Sequence, residues 1–405
     1  DGVAFDEAFT VQPVCGPARA VLQTGLYPTA TGCWRNGIAL PPDTETLAER
    51  MHALGYQTGY IGKWHLASNR GHGLPTDRPT ARFQRLPVPV DRRGGYRDVW
   101  VAADALEHTS GPTSGHVFDE DGQRVELHGY RVDALTDLAI DRLDGFDDQR
   151  PFVLFVSFLE PHHQNNRFRA IGPDGWAERF ASFDRPGDLP SWRGDWRWNY
   201  AEYLACCASI DANLGRLVDH LDRRGQLDET LIVFASDHGS HFRTRNLEYK
   251  RSAHDASIRI PLVLAGPGFR GGARRSDLAT NLDLLPTLVT VAGGADPERD
   301  GRPLQSGTGA PEDVLVQISE SSIGRALRTH THTFAARAPT KQLFAGHLRP
   351  AADRYAGTHL YDNVNDPHQR CNLIDDPSSS PLRHALAGRL AERIQQFEGT
   401  SPRVV

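Results

Sequence analysis

Val14-Cys15-Gly16-Pro17-Ala18-Arg19-Ala20, followed closely by Thr24-Gly25, sets a cysteine two residues ahead of a proline and four ahead of an arginine. The segment runs into a helix predicted over Ala18 to Gln23, so the cysteine sits where free backbone N–H groups and the positive helix end favour an anion. A thiol placed there is activated. The plainer reading of the same residues is a small buried cysteine at a helix start, and the rest of the chain has to supply partners for any chemistry.

At 405 residues the chain exceeds the usual size of one domain, which predicts a larger unit over 1–305 and a smaller one over 306–405. With 24% charged and 39% hydrophobic residues the composition is that of an ordinary globular protein. Lys and Arg number 45 against 51 Asp and Glu, a formal charge of −6, which argues against nucleic-acid or anionic-membrane binding driven by bulk charge. No apolar run is long enough for a membrane span, and the opening Asp1-Gly2-Val3-Ala4-Phe5 does not read as a signal peptide. The expectation is a soluble protein, cytoplasmic or exported. Five cysteines, an odd number without metal-site spacing, predict a reduced chain with no disulfide framework.

Phe5 to Phe9 reads as a short strand, and Leu47, Met51 and Leu54 fall at helical spacing within Thr44 to Leu54. A β-prone run from Gln57 to Ile61 ends in Gly62-Lys63-Trp64-His65, which puts a cation and an imidazole at a strand's carboxyl end, where α/β sheets place their chemistry. Asn69 to Gly129, rich in Gly, Pro, Arg and Asp, reads as an irregular insertion. Arg131 to Leu143 is predicted helical. The nearly continuous apolar run Phe152 to Leu159 predicts a central strand buried on both faces, delivering Glu160-Pro161-His162-His163. Tyr200 to Arg223 predicts a long helix. Thr230 to Ala235 predicts a second buried strand, ending in Ser236-Asp237-His238-Gly239, where adjacent oxygen and nitrogen donors suit a divalent cation. Ile260 to Ala265 gives another strand and Leu278 to Ala292 a helical run. Beyond Gly301 come short strands at Asp313–Ser319, Thr331–Ala336 and His359–Tyr361, then a helix from Leu382 to Phe397. Trp196 and Trp198 offer faces for stacking on sugar rings, and Arg325 and Arg328 offer charge for an anionic sugar.

Cys15-Gly16-Pro17-Ala18-Arg19 resembles the C-x-P-x-R signature of type I sulfatases, whose cysteine is oxidised to formylglycine by a formylglycine-generating enzyme. Gly62-Lys63-Trp64-His65, Pro161-His162, Asp237-His238-Gly239, and Lys250 with Ile258-Arg259-Ile260-Pro261 resemble further motifs of that family, in the same order. Leu360-Tyr361-Asp362 through Asp366-Pro367 to Asn372-Leu373 resembles its C-terminal signature. The resemblance implies an alkaline phosphatase-like α/β fold, with a large, mixed, mostly parallel central sheet flanked by helices and a smaller C-terminal α+β domain. It implies hydrolysis of a sulfate ester, on a small molecule or saccharide. By it, Cys15 supplies the nucleophile, held by Arg19 and a calcium ion that Cys15, Asp237 and His238 ligate. Lys63 and Lys250 neutralise the sulfuryl oxygens, His162 protonates the leaving alcohol and His65 assists sulfate release. His163 has no role by the resemblance. The family begins with a strand bearing two adjacent aspartates, and this chain opens at what resembles the second strand. The expectation is an N-terminally truncated chain that binds calcium weakly and folds marginally. Two other readings share the motifs: a phosphonate monoester or phosphodiester hydrolase, and a non-catalytic carbohydrate-binding relative.

Overall fold

The computed structural model describes residues 2–69, 82–164, 167–190, 192–295, 299–307, 309–340 and 345–405. The first helix covers Cys15–Thr24, starting three residues before the predicted one, and all ten of its residues are buried. Gly16 and Pro17 fit its first turn because the N–H groups there need no helical partner. Gly25, at φ 64°, closes it with an N–H donated to the Val21 carbonyl.

Two sheets flank this helix. One has the spatial order Arg124–His128, Ser114–Phe118, Val99–Ala103, Gln57–Lys63, Phe152–Ser157, with the last three parallel and the first two pairings antiparallel. The other orders Ala273–Arg275, Val3–Phe5, Leu262–Ala265 and Ile232–Ala235. Helices Arg131–Asp144 and Trp196–Arg223 lie against one another, and the second starts four residues earlier than expected.

Three expectations change. Residues 82–129 are not an irregular insertion: the short apolar run Val99-Trp100-Val101-Ala102-Ala103 is fully buried beside Gly59–Lys63 as a parallel strand, and a hairpin follows it. Residues 70–81 lie outside the described residues. The Phe5–Phe9 strand is two strands, Val3–Phe5 and Ala8–Phe9, the second pairing with Ala279–Thr280. Phe152–Ser157 and Ile232–Ala235 are only half-buried. Each ends its sheet, and both line one cavity of about 1300 Å³ together with Leu214, Leu217 and Leu221 of the long helix. An apolar run reports burial of its side chains and is silent about which backbone edge is paired.

The C-terminal sheet runs Asp313–Ile318, Gly324–Thr329, His332–Arg337, Arg354–Asp362, Arg403–Val404, antiparallel except for the last pair. Helix Ser380–Glu398 covers it. One apolar cluster joins Val314, Leu327, Phe334 and Leu390 to Phe9, Val11, Val21 and Tyr27, so this sheet is anchored on the helix that carries Cys15. No helix among the described residues is long and apolar enough to cross a membrane.

Candidate active site

Cys15 opens its helix, Lys63 and Ser157 are the last residues of adjacent strands, and Asp237 and His238 follow Ile232–Ala235. The carboxyl ends of three strands therefore meet one helix start, the place where open α/β sheets gather functional groups. Arg19 ties them together: Nη1 donates to the Lys63 carbonyl at 2.6 Å and to Ser157 Oγ at 2.7 Å, and Nε lies 3.6 Å from Asp237 Oδ2. Asn36 Oδ1 accepts the Gly16 N–H at 2.8 Å, satisfying a donor that the extended Val14 cap leaves free.

The thiol is surrounded by cations. Lys250 Nζ donates to Cys15 Sγ at 2.8 Å and lies 2.9 Å from His238 Nε2, which is itself 3.4 Å from the sulfur. His238 Nδ1 donates to the Gly239 carbonyl at 2.9 Å, which fixes the ring with Nε2 toward Lys250 and the sulfur. Burial pushes the Cys15 thiol up, yet Lys250, Lys63 and His238 outweigh it and hold the group well below its ordinary value. Asp237 is likewise held low against its burial, by His238, Arg19 and Lys250 among others. The His162 imidazole, in hydrogen-bond contact with the thiol, is pushed down chiefly by burial. Its Nδ1 donates to the His163 carbonyl at 2.7 Å, which leaves Nε2 as the nitrogen for proton exchange.

Lys63 is 1% exposed and its ammonium lies 3.1 Å from both carboxylate oxygens of Glu107. Burial would raise the Glu107 carboxyl, but Lys63, His65 and His162 hold it far below the usual range. His65 follows at φ 64°, buried, with neither ring nitrogen hydrogen-bonded among the described residues. Glu107, Asn36 and Ser157 escape the sequence reading. Glu107 sits in the stretch read as an insertion, and nothing local distinguishes it.

Four expected substrate contacts fare differently from the cluster. Arg325 is 1% exposed and locked to Glu398 through Nε at 2.5 Å and Nη2 at 2.7 Å. Arg328 is buried against Asp255, with both contacts at 3.0 Å. Arg325 thereby ties its strand to the helix Ser380–Glu398 that covers the C-terminal sheet, and Arg328 ties the sheet to Asp255 of the larger unit. Trp196 is half-buried, donates Nε1 to the Pro190 carbonyl and has the Arg185 and Arg197 guanidiniums 5.2 and 5.4 Å from its ring centre. Trp198 is exposed, and neither tryptophan lines the cavity around Cys15.

One thiol sulfur, one carboxylate oxygen and one ring nitrogen, from Cys15, Asp237 and His238, lie within 4.8 Å of one another. Calcium takes about six to eight oxygen ligands. The described residues supply a single carboxylate, with the Lys250 ammonium against two of the three donors, so by themselves they do not make a calcium shell.

A family model described as Sulfatase matches residues 1–295, which include every residue of this cluster. The chain belongs to the sulfatase family. As such it is a sulfuric ester hydrolase of alkaline phosphatase-like fold. An ulvan-active sulfatase of Formosa agariphila is 27% identical to it over 416 aligned positions, 98% of this chain and 75% of that one. A structure solved with its substrate, D-glucosamine-2-N,6-O-disulfate, superposes with a TM-score of 0.77 at 20% identity, covering 99% of this sulfatase and 92% of that chain. A phosphonate monoester hydrolase of Agrobacterium radiobacter superposes with a TM-score of 0.70 at 21% identity, covering 98% and 89%. These two likenesses speak to the fold.

Proposed function

We propose that this sulfatase removes sulfate from a saccharide ester, with position 15 working as formylglycine and a calcium ion completing the centre. The observation that carries the reading is the pair of buried ammoniums, Lys250 in contact with residue 15 and Lys63 acting on it from the neighbouring strand end. A sulfuryl group in transfer spreads negative charge over its oxygens, and fixed cations in a site shielded from water stabilise that charge most strongly. The hydrated aldehyde, when formed by a maturation enzyme, supplies an oxygen nucleophile at this position. Lys250 and Lys63 bind the sulfuryl oxygens, and Arg19 fixes the backbone and carboxylate around the nucleophile. His162 Nε2 gives its proton to the leaving alcohol oxygen as the S–O bond breaks. His65 accepts a proton during sulfate release. Calcium would be held by residue 15, Asp237 and His238 with further oxygen ligands, and no step above depends on it.

A saccharide is favoured because the relatives are described as acting on ulvan and on a disulfated glucosamine. The test is turnover of a sulfated oligosaccharide, an aryl sulfate and an aryl phosphonate by the protein and by its Cys15→Ala variant. Sulfate release that Cys15→Ala abolishes supports the reading. Phosphonate turnover above sulfate turnover contradicts it in favour of a phosphonate hydrolase, and ligand retention without turnover contradicts it in favour of a carbohydrate-binding protein.

A further inference from the structure

The reaction above leaves His163 without a task, yet its ring is held between two others. It stacks on His162 with centroids 4.4 Å apart and planes at 19°, and on Tyr249 at 4.1 Å and 25°. Two near-parallel rings at that distance cannot share one face, so His163 is sandwiched between them. The column continues outward: the Arg243 guanidinium lies 4.5 Å from the Tyr249 ring centre, and Asp195 stands 3.5 Å from Arg243 Nε. Its outer end is clamped by the backbone. The Asp195 N–H donates to the Phe242 carbonyl at 3.0 Å, and Arg193 donates to the Arg245 carbonyl at 3.3 Å. Phe242 and Arg243 hold φ values of 48° and 59°, a left-handed conformation that non-glycine residues adopt at a cost and keep only when their surroundings impose it.

His162 needs such support. Its Nδ1 bond to the His163 carbonyl fixes the tautomer but leaves the ring free to pivot about that bond. A neighbouring ring lying flat on it removes the pivot. His163 can do so without adding charge, because burial together with the nearby His162 and Lys250 pushes its imidazole down to about 3.

We propose that His163, backed by Tyr249, is a positioning residue that holds the His162 ring in the plane from which Nε2 delivers its proton to the leaving oxygen. The proposal rests on the reading of His162 as proton donor. The transfer is a simple one: the His162 imidazolium gives its Nε2 proton to the alkoxide oxygen as the S–O bond breaks and keeps its Nδ1–H on the His163 carbonyl, leaving a neutral imidazole and a neutral alcohol.

A role in proton delivery predicts dependence on the leaving group, which loss of fold or of general binding does not. The measurement is kcat/KM of the matured protein for 4-nitrophenyl sulfate, whose leaving group needs no proton, and for an alkyl sulfate, whose leaving group does. Removing a general acid raises the aryl-to-alkyl ratio by roughly 10²–10⁴, expected for His162→Ala. Loosening the same acid by about an ångström costs up to about a hundredfold, so His163→Ala should raise the ratio at least tenfold. His163→Phe keeps a flat ring and should bring the ratio back to within about threefold of the parent. The inference is overturned if His162→Ala moves the ratio and His163→Ala does not, or if His163→Phe is as impaired as His163→Ala. If His162→Ala itself leaves the ratio unchanged, the proton-donor reading falls and the inference with it. Should His163→Ala fail to fold, Tyr249→Leu removes the outer half of the sandwich, and an unchanged ratio there overturns the proposal equally.

Discussion

Glu398→Gln separates the two roles that Arg325 could have, a contact for a sulfated ligand or a pillar of the C-terminal sheet. The carboxylate accepts from Arg325 Nε at 2.5 Å and Nη2 at 2.7 Å and from Gln317 Nε2 at 2.9 Å, and both charged side chains are at most 3% exposed. Glutamine keeps the shape and removes the charge, which leaves a buried guanidinium without its counter-ion. Breaking such a pair from one side costs roughly 3–5 kcal/mol. Unfolding entropy near 60 °C is about 2.1 cal/mol/K per residue, or roughly 0.85 kcal/mol/K for the chain's 405 residues if it unfolds as one unit. The expected fall in Tm is therefore about 4–6 °C, read by differential scanning calorimetry, with KM for a sulfated saccharide unchanged. The double replacement Arg325→Met with Glu398→Met should recover most of the loss, since a well-packed apolar pair can match a buried ion pair. An unchanged Tm accompanied by a several-fold rise in KM would refute this account and return Arg325 to the substrate.

Lys250→Met should raise the pKa of the Cys15 thiol in unconverted protein, because it removes the strongest of the cations that oppose burial. Iodoacetamide alkylation followed on the Cys15 peptide, apart from the exposed Cys371, should then need higher pH, and an unmoved profile would count against the geometry. In matured protein the same change should lower kcat by about 10²–10³, the loss seen when one donor to a developing oxyanion is removed. His241, fully buried, has its imidazole pushed down to about 4, mainly by burial. The unfolded chain binds that proton near pH 6.5 and the folded one does not, so His241 takes stability away as pH falls from about 6.5 to about 4. His241→Phe should reduce the slope of stability against pH in that window by up to about 1.4 kcal/mol per unit, measured by urea titration. An unchanged slope would exclude it as a source of acid lability.

The residues around position 15 were legible because each lies in a short segment that resembles a sulfatase motif. A cysteine ahead of Pro17 and Arg19, Lys63 closing an apolar strand, and Lys250 eleven residues before Pro261 can be seen one segment at a time, and the fold brings them together. What escaped is whatever depends on a distant partner. Glu107 matters only because strand Val99–Ala103 lies beside Gln57–Lys63, and nothing in its own surroundings says so. Gly324–Thr329 reads as polar because Arg325 and Arg328 interrupt it. Their partners Glu398 and Asp255 are each 73 residues away, and pairing is what lets the charges enter a sheet. The apolar run at Phe152–Ser157 announced a buried strand but not that one of its edges would face a cavity. His163 has no role by the resemblance, and its stacking partner Tyr249 comes from a different loop.

The central claim is that position 15 is converted and that the converted residue hydrolyses a sulfate ester. A peptide-mapped mass spectrum of the protein from its own cells, taken alongside sulfate release from a sulfated oligosaccharide by the same preparation, tests both halves at once. The account predicts the mass of an aldehyde at residue 15 and release of inorganic sulfate in proportion to the converted fraction. An intact Cys15 thiol throughout a preparation that still releases sulfate, or full conversion with no sulfate released, would contradict it.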